Sequence, residues 1–414
     1  MNEPPLRVLS FAVSLVLILI LLTAGVSLAD SVSSTVTVGT NPEGVAFDPT
    51  NGYVYVANSA SGTVSVIDGS TNTVVTAVTV GTGPVGIAFD SANGHLYVAN
   101  SASGTLSVVD GSTNTVVANV TVGSQPYAVT FDSANGNVYV ANYGSGTVSV
   151  INPSTNTVVA SVTVGVYPIK IAFDPTNGYV YVANEGSGTV SVIDDSTNTV
   201  VTAVTVGTNP EGVAYDSANG HLYVANKGSG TVSVINPSTN TVVDNVTVGS
   251  QPYAVTFDSA NGNVYVTNSY SRSVSVISGS TNTVVATVAV GIGPDGVAFD
   301  PTNGYIYVAN FSSNSVSVII PSSSTSSTSS TTTSVVTTPK TSTSTPTTST
   351  SATSTNPTAT YTTSSTSSNG GGGIPEFPYQ LPAAAALAAL LVLSYLVVRS
   401  RTTSRGRPET KGTP

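Results

Sequence analysis

From residue 31 to residue 320 the chain is written in short apolar runs broken by turn residues. In the first stretch the runs are Gly44 to Asp48, Tyr53 to Asn58, Thr63 to Asp68 and Thr73 to Val80. Each is five to eight residues of mostly Val, Tyr, Thr and Phe, too short for a helix and suited to a pleated surface. Asn51-Gly52, between the first two runs, marks a hairpin turn. The second run is almost continuously apolar and predicts a strand covered on both faces. The third alternates Val with Ser and Thr and predicts a half-buried one.

The quartet then returns. Tyr55-Val56-Ala57-Asn58 recurs with its Asn at 100, 142, 184, 226, 268 and 310, always 42 residues further on, once with Thr for Ala. Seven copies of a four-strand unit at that period predict an all-β, seven-bladed β-propeller of four-stranded blades. The seventh copy stops after its third run, at Ile320, while a lone fourth-type strand, Ser34 to Gly39, precedes the first. The ring is complete if that N-terminal strand pairs into the last blade, which also removes the open edge a linear array would expose.

The repeated Tyr-Val-Ala-Asn, with Tyr-Val-Thr-Asn at 265 to 268 and a Gly-x-x-Pro upstream of each copy from Pro42 to Pro294, resembles the YVTN family of β-propellers, typified by archaeal surface-layer proteins. The likeness spans residues 31–320, and with no Trp in the chain it departs from WD40 and kelch propellers. It implies a propeller fold and a surface location and supplies no catalytic residues. Copies 1, 4 and 7 share Asp-Pro-Thr-Asn-Gly-Tyr, copies 2 and 5 share Asn-Gly-His-Leu, and copies 3 and 6 share Ser-Gln-Pro-Tyr-Ala-Val-Thr-Phe, as if a three-blade unit had been duplicated and one blade added.

Composition narrows the chemistry. Of 414 residues only 7% are charged, none is Cys and two are His. That removes disulfides, thiolate metal sites and Cys nucleophiles, and leaves little for Ser-His-Asp or transition-metal chemistry, so no cofactor is expected. The net charge is -10, and between residues 31 and 320 just Lys170, Lys227 and Arg272 stand against sixteen acidic residues, so no nucleic-acid partner is expected.

The ends are apolar and basic, as expected of segments addressed to a membrane. Residues 1–29 have the layout of a secretory signal peptide, with a long apolar run and Ser27-Leu28-Ala29 as the cleavage site; an uncleaved anchor is the alternative. Residues 30–320 form the propeller and residues 321–373 a Ser/Thr-rich and Gly linker, which cannot bury enough apolar surface to fold and reads as a disordered, O-glycosylated stalk. Within residues 374–380, Pro375-Glu376-Phe377 resembles the archaeal PEF-CTERM sorting signal, which implies a membrane-bound sorting enzyme as a partner and removal of the tail; a plain helix entrance is the alternative. Residues 381–398 are long and apolar enough to span a bilayer, and the basic tail at 399–414 places that end in the cytoplasm.

Loops alternate between the two faces of a propeller, so the copies can be compared loop by loop. One face barely varies. On the other, the positions after each Gly-x-x-Pro carry Glu43, Tyr127, Lys170, Glu211, Tyr253 and Asp295, and the second-to-third loops carry Tyr143, Glu185, Lys227, Tyr270, Arg272 and Phe311. Exposed aromatics beside charges suit a recognition surface, although loop tips also drift freely. Lys170 stands where the other copies have Gly or Ala, at the start of an innermost strand and near the channel mouth.

Other motifs point to structure. The Asp before each first hairpin, such as Asp48, caps its turn; one carboxylate per loop is too few for calcium, and no metal site is expected. His95 and His221 lie across the ring from one another and read as solvent-side turn residues. The Gly-Ser-Gly runs at 144–146, 186–188 and 228–230 read as tight hairpins. Among the sequons, Asn119 and Asn245 on outermost strands are glycosylation candidates, whereas Asn310 belongs to the repeat motif. The expected function is surface binding, adhesion or envelope structure, with an envelope glycan or surface protein as ligand and no enzymatic activity. The alternative is an extracytoplasmic propeller enzyme of lactonase or lyase type, which needs carboxylates, His or a metal around the channel.

Overall fold

The computed structural model describes residues 29–322. The expected signal segment up to residue 28, the linker from 323, the Pro375-Glu376-Phe377 motif, the apolar segment 381–398 and the tail 399–414 lie outside the described residues.

Twenty-eight strands make seven four-stranded antiparallel sheets, which is the seven-bladed propeller the period predicts. Blade 1 runs Pro42–Asp48, Tyr53–Asn58, Thr63–Asp68 and Thr73–Thr79, paired in that order. The first strands of neighbouring blades contact one another around the ring and are therefore innermost. Blades 2 to 6 begin at Pro84, Pro126, Pro168, Pro210 and Pro252. Blade 7 begins at Pro294 and takes its outermost strand from the N-terminus: Ser31–Thr37 pairs antiparallel with Ser315–Ile320. The closing strand thus starts three residues earlier than the sequence suggested. Val36 is buried in one cluster with Val54, Ile67 and Tyr307, so it welds blade 7 to blade 1.

Burial corrects one expectation. The third strand of each blade is not half-exposed; Thr63–Asp68 is buried along Val64 to Ile67, Ser65 included. The Nδ2 group of Asn58 donates to Ser65 Oγ at 3.0 Å, and equivalent Asn–Ser pairs recur in the other six blades. A buried hydroxyl is tolerated because it is hydrogen-bonded. The alternation marks this internal polar seam. The fourth strand, almost fully exposed in Thr73–Thr79, is the solvent edge.

Blades are latched by the motif tyrosine, which is 0% exposed in all seven copies. The Tyr307 hydroxyl donates to Gly69 O at 3.3 Å and to Asn72 Oδ1 at 2.9 Å in the next blade. Tyr223 reaches Asn282 Oδ1 at 2.7 Å in the same way. The Asp at each first hairpin caps its turn as expected: Thr50 N donates to Asp48 Oδ1 at 2.8 Å. His95 and His221 open strands and are half-buried, which corrects their placement in solvent-side turns. Gly146, Gly188 and Gly230 have φ of 64 to 66°, the tight hairpins predicted for these runs. Asn119 and Asn245 are exposed, and each side-chain oxygen accepts a hydroxyl hydrogen bond at 2.8 Å from the neighbouring strand.

Candidate functional site

The innermost strands converge so closely that most have room only for Gly or Ala at their third position. A Cβ on Gly212 would lie 2.6 Å from Tyr253 O of the next blade. Lys170 occupies this level in blade 4 and lines the channel. Just above, the residues after each strand-opening proline form a ring at the mouth: Glu43, Tyr127, Glu211, Tyr253 and Asp295 among them.

Sequence comparison put these side chains on an exposed face, and the structure buries the acidic ones. Glu43 is 7%, Glu211 0% and Asp295 9% exposed. Burial pushes the Glu211 carboxyl up to about 7, despite a hydrogen bond from Lys227. Burial likewise raises Glu43 and Asp295, partly offset by the charge of Lys170. The channel mouth is therefore rich in ionisable and aromatic groups. It gathers three carboxylates, two lysines and two tyrosines from blades far apart in the chain.

The lysines behave differently. Lys227 Nζ donates to Glu211 Oε1 at 2.9 Å, the one ion pair among the described residues. Burial pushes the Lys227 ammonium down, but the hydrogen bond and charge of Glu211 outweigh it and raise its pKa. Lys170 Nζ lies 5.7 Å and Lys227 Nζ 5.2 Å from the centroid of the Tyr253 ring, within cation–π range. Tyr127 and Tyr253, equivalent residues three blades apart, line one cavity at the channel mouth.

Outward from Tyr127 runs a row of aromatic rings. The Tyr127 and Tyr143 centroids are 5.6 Å apart, and Tyr143 stacks on Tyr167 at 4.6 Å with an interplanar angle of 12°. Burial first and the charge of Glu185 second push the Tyr143 hydroxyl's pKa up to about 12. Tyr167 has φ of 57°, a left-handed conformation costly for a bulky side chain, where the other copies carry Asn, Gly or Gln. It is 47% exposed. Sequence comparison passed over Tyr167 because it precedes the proline; a lone aromatic among turn residues was the available signal.

Glu43, Tyr127, Tyr253, Asp295 and Phe311 line a single cavity on this face. Tyr270, 74% exposed, and Arg272 in the same loop of blade 6 line no part of it. No three His, Cys, Asp or Glu side chains converge as metal ligands among the described residues.

Two propeller families match parts of the chain. The YNCE-like beta-propeller family matches residues 205–355, and the family described as lactonase, 7-bladed beta-propeller, matches residues 68–164. No curated protein matches. Among solved structures the chain is similar to Kuenenia stuttgartiensis hydrazine synthase at 21% identity and TM-score 0.63, over 68% of this chain and 95% of that one. These likenesses agree on the β-propeller. At this identity the last speaks to the fold alone, and each family covers less than half of the chain.

Proposed function

We propose that the chain is a surface-displayed binding propeller, whose variable face holds a glycan of the cell envelope on the tyrosine row 127, 143 and 167. Stacked rings offer a flat apolar platform for the C–H face of a sugar. Glu185, Glu211 and Lys227 beside it supply acceptors and donors for the hydroxyls. The observation that carries the reading is Tyr167: an exposed aromatic held in left-handed backbone, stacked on its neighbour, at a position where Gly or Asn would cost less. The signal segment, Ser/Thr stalk and apolar C-terminal segment expected from the sequence would display this face outside the cell, with removal of the tail at Pro375-Glu376-Phe377 by a sorting enzyme as one route to anchoring. Screening the full-length protein against arrayed envelope glycans tests the proposal. Retention lost on Tyr143→Ala supports it, and retention indifferent to that change sinks it.

A second reading, an enzyme of lactonase or lyase type, draws on Glu211. A carboxyl poised at about 7 beside a lysine could exchange protons near neutral pH.

A further inference from the structure

The cavity at the channel mouth has a chemistry of its own. It encloses about 250 Å³ where blades 6, 7 and 1 meet, with Tyr127 reaching over from blade 3. Two carboxylates belong to its wall, Glu43 and Asp295, each more than nine-tenths buried. Asp295 Oδ1 has no hydrogen-bond partner. Neither carboxylate has a cation within ion-pair distance, because the one ion pair among the described residues joins Lys227 to Glu211. The rest of the wall is half aromatic, Tyr127, Tyr253 and Phe311, and half small residues, Ser269, Gly293 and Ser312.

Buried carboxylates are normally paired, since an isolated charge is costly to desolvate. Here Asp295 and Glu43 belong to the wall of a space large enough for several heavy atoms, beside aromatic rings, whose faces attract cations. A bare divalent ion wants six or more oxygen ligands, and no such set converges here. An alkylammonium ion satisfies both halves of the wall at once.

We propose that this cavity is a binding site for a small organic ammonium ion. The ammonium donates to the Asp295 and Glu43 carboxylates, and the alkyl body lies between Tyr127, Tyr253 and Phe311. Lys170, on the channel side of Tyr253, is the competing internal charge and weakens the site by repulsion. The proposal does not rest on the glycan reading; the two sites share only Tyr127.

The test is calorimetric titration of the full-length protein with n-butylammonium chloride in sodium phosphate, against n-butanol and against sodium chloride at equal ionic strength. Saturable binding of the ammonium and none of the alcohol is the expected result. Asp295→Asn should weaken it about tenfold or more, as loss of one partner of a buried charge pair does. Lys170→Met should strengthen it about threefold or more as the repelling charge goes. Should Asp295→Asn fail to fold, Phe311→Ala, which alters a loop side chain at the rim, should still weaken binding about fivefold with an unchanged melting temperature. Equal binding of butanol, or binding that ignores both Asp295→Asn and Phe311→Ala, overturns the proposal.

Discussion

The hydroxyl of Thr267 donates to the backbone carbonyl of Asp295 at 2.7 Å, and Ala254 N donates to that same hydroxyl at 2.9 Å. Thr267 is the one place where the repeat reads Tyr-Val-Thr-Asn rather than Tyr-Val-Ala-Asn. It is fully buried and ties blade 6 to the backbone of the carboxylate residue in the cavity wall. Changing Thr267 to Val keeps the shape and removes both hydrogen bonds, leaving buried backbone groups unpaired. The expected cost is about 2 kcal/mol, seen as a melting temperature lower by several degrees. An unchanged melt would show that the hydroxyl contributes nothing net.

The ring depends on its N-terminal strand. Ser31–Thr37 supplies the outer strand of blade 7, and Asp30 Oδ2 accepts from the Tyr265 hydroxyl of blade 6 at 3.1 Å. Removing residues 31–39 should expose the strand Ser315–Ile320 as an open edge and lower the melting temperature of the whole propeller. A truncated chain that melts as the intact one does is incompatible with this closure.

The blade latches are unequal, which allows an internal control. Tyr307 donates across the seam, whereas the Tyr97 hydroxyl has Asn93 of its own blade as its hydrogen-bond partner. Denaturant titration should find Tyr307→Phe about 1 kcal/mol more destabilising than Tyr97→Phe. Equal costs would mean that the cross-seam bond is isoenergetic with solvation in the unfolded chain.

Stability should rise on mild acidification. Burial lifts the Asp132 carboxyl to about 6 and that of Glu211 to about 7, so the folded ring binds protons that the unfolded chain releases. Raised acid pKa values favour the folded state when protonated; that contribution is complete below the unfolded values near 4 and lost as pH climbs through 6 to 7. Asp68, Asp110 and Asp194 are held below the usual carboxylate range by hydrogen bonds from Ser70, Ser112 and Ser196, and they reverse the trend only in stronger acid. Melting temperatures between pH 8 and pH 5 should therefore increase, and a steady fall over that interval would contradict the burial of these groups.

Tyr167 separates folding from recognition. Gly83 and Gly293 occupy its position in blades 2 and 7 with φ of 63 and 65°. Tyr167→Gly therefore relieves backbone strain, and its melting temperature should stay within about 2 °C of the parent or rise. Glycan retention on the array should nevertheless disappear. Loss of stability together with binding would recast Tyr167 as a packing residue.

The sequence by itself determined the ring: the 42-residue period, four strands per period, the missing last strand and its spare copy at the N-terminus. These are local facts, because strand length, turn residues and apolar spacing act within one blade. It also picked out most of the residues at the mouth by their variation among the copies. Only the tertiary structure decided which of them are buried and which meet. Tyr127 and Tyr253 lie 126 residues apart and share a cavity wall because equivalent positions of different blades converge on one axis. Glu43, near the start of the propeller, shares a cavity wall with Asp295 near its end because the ring closes. Burial at the channel mouth comes from the neighbouring blade, and no pattern within a blade records how deeply the next will cover it.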